Sequence, residues 1–327
     1  MRRNPPETTL AKVESIDRRL VHALQIDGRA PFAKIAGVLG ISEHTAARRY
    51  QRLKERGIRV RGALNRFRLG HHAWTLRLRC TPDAGPALAR ALARRDDTFW
   101  VHLMSGGTEI SCLQQVKDPD ELLLDRLPRR LVDVSAHNIL RGFASPGTWR
   151  GLACLEPDEA AALRPEFEPE PPTELTPLDE ALLRTLEVDG RAGYAELATT
   201  TRTSESTARR RVEHLRRTGV LELQLDADPS RFGFATQARL WMRVEPRNLA
   251  AAGATLATHS EVYFAAATTG PANLVASVTC RSGGDLYRYL TERIGSLDGV
   301  RESETAPVLR TLKRVVLSED EASSYRT

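Results

Sequence analysis

The chain repeats itself. Asp17 and Asp179 stand 162 positions apart (179 − 17), and that offset holds without a gap from residues 16–58 to residues 178–220. Seventeen of those 43 positions carry the same residue, among them Asp17, Leu20, Leu24, the run Asp27-Gly28-Arg29-Ala30, Ser42, Glu43, Thr45, Arg48, Arg49, Leu53 and Gly57. A duplicated unit explains this far better than chance, and the two copies must share a fold. The 327 residues leave room for more than one domain.

Each copy reads as three short helices. The first spans about 17–25, with Leu20, Val21 and Leu24 on one face, and Asp27-Gly28-Arg29-Ala30 breaks it. The second spans about 32–39 and offers Phe32, Ile35, Ala36 and Leu39 to a core. Gly40-Ile41 makes a tight turn, the third helix starts at Ser42, and Gly57 closes it. Ser42 and Ser204 are suited to cap their helices, because the hydroxyl accepts from the first free amides. Ala46, Tyr50 and Leu53 form an apolar stripe, matched by Ala208, Val212 and Leu215.

The other faces carry Ser42, Glu43, His44, Thr45, Arg48, Arg49 and Arg52 in the first copy. The second copy carries Ser204, Glu205, Ser206, Thr207, Arg209, Arg210 and Arg211. Short polar groups come first, where a major-groove helix meets base edges, and arginines follow, where phosphates pass. An arginine-rich helix alone is ordinarily a solvated face, and three helices alone make a plain bundle. The short turn, the serine cap, the exposed polar set and the repetition favour a helix-turn-helix DNA reader.

Charge follows the same division. The formal net charge is +6 with a pI near 9.4. Residues 42–62 hold seven Arg/Lys against two Glu, whereas residues 155–180 hold nine Asp/Glu against one Arg. The basic stretch fits a polyanionic partner; the acidic one, with Pro165, Pro169, Pro171 and Pro172, reads as an extended linker. The N-terminus leads into no apolar signal core and no run is long enough to cross a membrane, so a cytoplasmic protein is expected. Cys80, Cys112, Cys154 and Cys280 form no CxxC pair and read as reduced, buried small hydrophobes; no metal or cofactor is expected.

After each helical unit the period changes to two. Trp74, Leu76, Leu78 and Cys80 alternate with other residues, as do the positions of 237–244, so both segments read as half-buried strands. A helix-like run follows (85–93; 249–258), then two strands around a Gly-containing turn (98–104 and 109–116; 261–267 and 273–280). A further helix (119–127; 284–294) and a last strand (132–140; 300–316, bent or interrupted at Pro307) complete the order βαββαβ. The expected fold class is α+β: two winged or helix-turn-helix three-helix units alternating with two ferredoxin-like βαββαβ sheet domains. The expected boundaries are 1–62 and 178–224 for the DNA-binding domains, 63–154 and 225–320 for the sheet domains, and 155–177 for the linker.

This alternation resembles the Lrp/AsnC (feast/famine) family of transcription factors, in a tandem two-unit form. The residues that carry the resemblance are Ile16-Asp17, Asp27-Gly28-Arg29, Ile41-Ser42, Thr45-Ala46, Arg48-Arg49, Leu53 and Gly57-Ile58 with their second-copy partners, and the stretch 297–305. The resemblance implies double-stranded DNA as partner of the helical units. It further implies an amino acid or related metabolite as effector of the sheet domains, which pair face to face. The effector turns would be Ser105, Gly106, Gly107 and Thr108, and Thr269, Gly270 and Asn273. Fusion should make that pairing intramolecular, with further self-association between chains. Two alternatives stay open: a regulator without an effector, and an enzyme similar to the siroheme decarboxylases that share this two-part fold.

Overall fold

The computed structural model describes residues 15–127, 131–165, 170–171 and 174–314. The N-terminal segment, part of the acidic stretch and the end of the last expected strand lie outside the described residues. Each helical unit forms as its apolar spacing requires: α1 Ser15–Ile26, α2 Phe32–Leu39 and α3 Glu43–Glu55 in the first, α6 Pro177–Val188, α7 Tyr194–Thr201 and α8 Glu205–Arg217 in the second. Gly40 takes a left-handed conformation (φ 66°) at the turn; its counterpart Arg202 takes the same conformation (φ 53°) without being glycine.

Behind each unit comes a wing strand, β1 Arg59–Leu64 and β6 Leu221–Asp226, and the two wings pair with each other as an antiparallel ribbon. The register runs from Arg59↔Asp226 to Leu64↔Leu221, so exchanging the copies maps the ladder onto itself. A local twofold axis therefore passes through its middle. Around that axis the Asp-Gly-Arg-Ala turns clasp one another. Arg29 donates to the carbonyls of Gly190 (2.9 Å) and Ala192 (3.1 Å), and Arg191 donates to those of Gly28 (2.6 Å) and Ala30 (3.0 Å). Lys54 pairs with Asp189 at 2.7 Å, and Arg216, its symmetry counterpart, pairs with Asp27 at 2.9 Å. Glycine is needed in this turn: a Cβ on Gly190 would lie 2.9 Å from the Arg61 backbone carbon, and one on Gly28 2.7 Å from Val60.

The sheet domains are β2 His72–Cys80, α4 Gly85–Ala93, β3 Thr98–Met104, β4 Glu109–Val116 and β5 Leu131–Ala144 in the first copy. In the second they are β7 Thr236–Val244, α9 Leu249–Leu256, β8 Val262–Thr268, β9 Leu274–Cys280, α10 Gly283–Arg288 and β10 Val300–Lys313. The strands close into one barrel in the order β10-β3-β4-β2-β5-β8-β9-β7. Each last strand starts on its own sheet and finishes on the other. β5 leaves β2 after Asn138↔Trp74 and joins β8 at Ile139↔Thr268; β10 leaves β7 after Pro307↔Ala238 and joins β3 at Val308↔Met104. Pro307 bends nothing apart; lacking an N–H, it sits where the strand changes neighbours. Helices cover the outer faces, and between the sheets lies an inner core of Met104, Trp241, Ala266, Val275 and Ala306.

Four expectations need correction. β2 and β7 are buried on both faces rather than one, because the face away from the helices looks into the barrel. The expected helix at 119–127 is a pair of 3-10 turns, Pro119–Glu121 and Leu123–Arg126, since the extended Leu122 (ψ 137°) interrupts it; Pro119, at the first position, is compatible with either. The acidic stretch is not extended throughout: α5 Pro157–Leu163 packs Leu163 into the core of the first helical unit, and Glu159 pairs with Arg19. Cys154 is exposed, whereas Cys80, Cys112 and Cys280 are buried.

Arg191→Ala removes two charge-assisted hydrogen bonds from the clasp, and we expect it to lower the unfolding free energy by about 3 kcal/mol. Urea titration of the variant beside the parent chain checks this, and an unchanged midpoint would show the clasp to be incidental.

Candidate nucleic-acid interface

The two third helices are built alike. The Ser42 hydroxyl accepts from the Thr45 amide at 3.2 Å and lies 2.8 Å from the Thr45 hydroxyl. Ser204 accepts from the Thr207 amide at 3.1 Å and donates to the Thr207 hydroxyl at 2.8 Å, with Ser206 Oγ 3.0 Å away. Capping thus absorbs both serines and both threonines, and fixes the direction in which each helix starts. Ala46, Tyr50 and Leu53, with Ala208, Val212 and Leu215, are buried as their spacing requires.

What remains outward is an ordered polar face. Glu43, His44, Arg48 and Arg52 are exposed on α3, and Glu205, Ser206, Arg209 and Arg210 on α8. Arg209 lies over the Tyr194 ring at 4.5 Å and within 3.5 Å of Glu205, which restricts its guanidinium without burying it. Gln51, which the sequence reading passed over, is exposed on α3 beside Arg52; the only signal for it was its helical spacing from Arg48.

Arg49 and Arg211 do something else. Arg49 pairs with Asp17 at 2.8 Å, and Arg211 clamps Asp179 through Nε at 2.8 Å and Nη2 at 2.5 Å. Both carboxylates stand in the first helix of their unit and are buried, so these arginines tie the third helix to the first rather than extending from the polar face. Burial works to raise the Asp179 carboxyl, but the Arg211 ion pair and the Thr176 hydrogen bonds outweigh it and hold the group below the ordinary carboxylate value.

The turns expected to hold an effector are well bonded, the first internally and the second to neighbouring strands. Ser105 (φ 51°), Gly106 and Gly107 are left-handed in succession, Ser105 Oγ donates to Glu109 at 3.1 Å, and Thr108 Oγ1 donates to the Ser105 carbonyl. Thr269 exchanges two 2.9 Å hydrogen bonds with Asn138, and Asn273 spans the amide and carbonyl of Val244 at 2.8 Å each. Gly270 lies against the His137 ring, where a Cβ would come within 2.2 Å. Both turns therefore lie against strands that carry the barrel seam. A larger cleft, about 710 Å³, opens elsewhere, between α6, the wing ribbon and the barrel; Phe99, Trp100, Arg66 and Lys313 line it.

Comparison with known proteins matches this anatomy. The model for the AsnC-type helix-turn-helix domain matches residues 14–54 and again 175–216, and that for the Lrp/AsnC ligand binding domain matches residues 237–316. An uncharacterised HTH-type transcriptional regulator of Pyrococcus abyssi is 32% identical over 142 residues, covering 43% of this chain and 89% of that protein. Regulatory protein AsnC of Escherichia coli is 29% identical over 143 residues, covering 42% of this chain and 94% of its own. Among solved structures, the siroheme decarboxylase NirDL superposes with a TM-score of 0.63 over 96% of this chain and all of its own, at 15% identity, which establishes a shared tandem fold. Among the described residues no helix is long and apolar enough to cross a membrane, and no cluster of three potential metal ligands occurs.

The ion pair makes a pH-dependent contribution with a definite sign. A carboxyl whose folded value lies below its unfolded one stabilises the fold above about pH 4, and that stabilisation disappears as the pH falls through the folded value. Asp179→Asn should therefore cost stability at pH 7, and the gap to the parent chain should close in acid. A gap that stays constant from pH 7 to pH 2.5 in paired urea titrations would sink this account of α8.

Proposed function

Because the chain belongs to the Lrp/AsnC family of helix-turn-helix transcriptional regulators, we propose that it reads one asymmetric operator with its two unlike third helices. The observation that carries this is the pair of capped helices, related by a local twofold, that keep Glu43, His44, Arg48 and Arg52, and Glu205, Ser206, Arg209 and Arg210, outward. Arg48 and Arg210 are equivalent and would serve phosphates or guanine edges in both half-sites. His44 faces Ser206 in the equivalence, and Ala47 faces Arg209, so the half-sites should differ. Half-sites about one helical turn apart, or a multiple of it, fit twofold-related readers. Ser42, Thr45, Ser204 and Thr207 act as caps whose helix N-termini favour a phosphate, and Arg49 and Arg211 act through helix orientation.

The sheet domains are the proposed seat of a small effector, an amino acid or related metabolite, at the turns 105–108 and 269–273; calorimetric titration with a panel of amino acids tests it. Self-association beyond the intramolecular pairing and a cytoplasmic location belong to the same proposal. A second reading has one observation in its favour, the whole-chain likeness to NirDL together with the 710 Å³ cleft. At 15% identity that likeness concerns fold alone. Among the described residues lining the cleft there is no histidine, tyrosine or cysteine, which leaves Asp96, Glu180, Glu187, Glu222 and Lys313 for proton transfer. A regulator is the better reading; a tetrapyrrole absorbance band on the purified chain would reverse the order.

Selection from random duplexes should return an imperfect inverted repeat; recovery of a perfect palindrome contradicts the asymmetric reading. Arg48→Ala and Arg210→Ala should each weaken binding and reduce the slope of log K against log salt by about 0.9. Equal slopes for parent and variants in fluorescence anisotropy would remove those residues from the phosphate contacts.

A further inference from the structure

Among the described residues, the barrel interior holds a cation without a counter-charge. Arg239, on β7, is 4% exposed. Its Nη1 donates to Ser277 Oγ at 2.8 Å and its Nη2 to Thr75 Oγ1 at 3.2 Å, and its guanidinium lies 5.1 Å from the Phe264 ring centre. Among the described residues its Nε has no hydrogen-bond partner and no carboxylate pairs with it. Burying a guanidinium among neutral hydroxyls is costly, and burial brings its pKa down only to about 10, so it stays charged at neutral pH.

The neighbourhood has the complementary shape. A small cavity of about 40 Å³ adjoins Arg239. Thr279, 1% exposed, lines it and has its own hydroxyl unpartnered. His102 lines it too and is kept neutral, its pKa pushed down to about 3 by burial and by the Arg239 and Arg314 charges. Arg314, the other cation there, is matched by Asp226 and Asp228. The cavity thus has one unmatched positive charge and an unpartnered hydroxyl. A water needs roughly 10–15 Å³ of such space, so the cavity suits a group of about three or four heavy atoms. Trp100 and Phe264 line both this cavity and the 710 Å³ cleft, so the cleft lies directly behind its wall.

We propose that Arg239 and Thr279 form an anion site inside the barrel that takes a carboxylate, either a free short monocarboxylate or the head group of a longer one whose body lies in the cleft. Guanidinium Nε and threonine hydroxyl supply the donors, and the burial of both side chains strengthens both bonds. The site is separate from the third helices and from the turns 105–108 and 269–273. Its failure would leave DNA binding untouched, and loss of DNA binding would leave it standing.

The test uses the full chain and sodium acetate, with sodium chloride at matched ionic strength as control, read as thermal midpoint and as Kd by calorimetry. The parent chain should show a saturable rise of about 4 °C at a hundredfold excess over Kd, absent with chloride. Arg239→Met should abolish it, and Thr279→Val should raise Kd about tenfold. Tighter binding of phenylacetate than of acetate assigns the site to the head of a longer ligand; acetate alone assigns it to a free small anion. Equal responses to acetate and chloride, or a Thr279→Val chain with the parent Kd, overturn the proposal. Should Arg239→Met fail to fold, the Thr279→Val comparison decides.

Discussion

Everything that could read DNA in this protein is positioned by the reciprocal grip of Arg29 and Arg191. Each guanidinium reaches two carbonyls of the other copy's turn and lies over an aromatic ring of the other copy: Arg191 is 4.2 Å from the Phe32 ring centre, and Arg29 is 4.7 Å from that of Tyr194. A single long flexible contact would hold the units loosely. Four hydrogen bonds, two flanking ion pairs and a six-pair ribbon register, all related by one axis, leave little freedom between them. The angle between the readers is a property of one folded chain and does not depend on protein concentration.

Fusion also releases the copies from identity at the places where they meet. The ladder pairs His72↔Val116 and Thr236↔Cys280 are equivalent, which makes Thr75 the counterpart of Arg239 and Arg77 that of Trp241. These counterparts touch: Arg239 donates to Thr75, and Arg77 lies 3.9 Å from the Trp241 ring centre. In a symmetric dimer of one unit, an arginine at the position of Arg239 would meet a second arginine in a low-dielectric interior, where like charges repel strongly. Only an unsymmetrical barrel can hold one. Arg77, by contrast, is neutralised by Glu109 at 2.6 Å and by Glu304, and Glu109 has Asn273 as its counterpart. The two halves of the barrel therefore differ in charge where they agree in fold.

The sequence made the helices, the caps and the βαββαβ order legible because each rests on a local period or a local hydrogen bond. Ser42 and Ser204 cap as expected, and Leu20, Tyr50 and Leu53 are buried as their spacing requires. What escaped was whatever depends on the second copy. Asp27-Gly28-Arg29 looked like a helix break because its partners lie more than 160 positions away. Arg239 looked like the wet side of a half-buried strand because alternation reports one covered face, and nothing in β7 itself tells that the other sheet closes over it. The crossing of β5 and β10 between sheets is invisible for the same reason.

The identities between the copies mix two causes, and the structure separates them. Asp17 with Arg49, and Asp179 with Arg211, recur because each unit must hold its third helix against its first, a need that arises twice in any duplicated fold. Glu43 and Glu205 recur in the first turn of their helices, where a negative charge is favoured, and Glu205 also pairs with Arg209. Arg48 and Arg210 recur fully on the outer face, and theirs is the recurrence that packing does not explain. Exposed neighbours diverge: His44 stands against Ser206 one residue from the shared glutamates, while Arg52, exposed, has as its counterpart the half-buried His214, which is bonded to Glu170 at 3.0 Å. A surface partly shared and partly divergent fits the proposed pair of half-sites with common phosphate contacts and different bases.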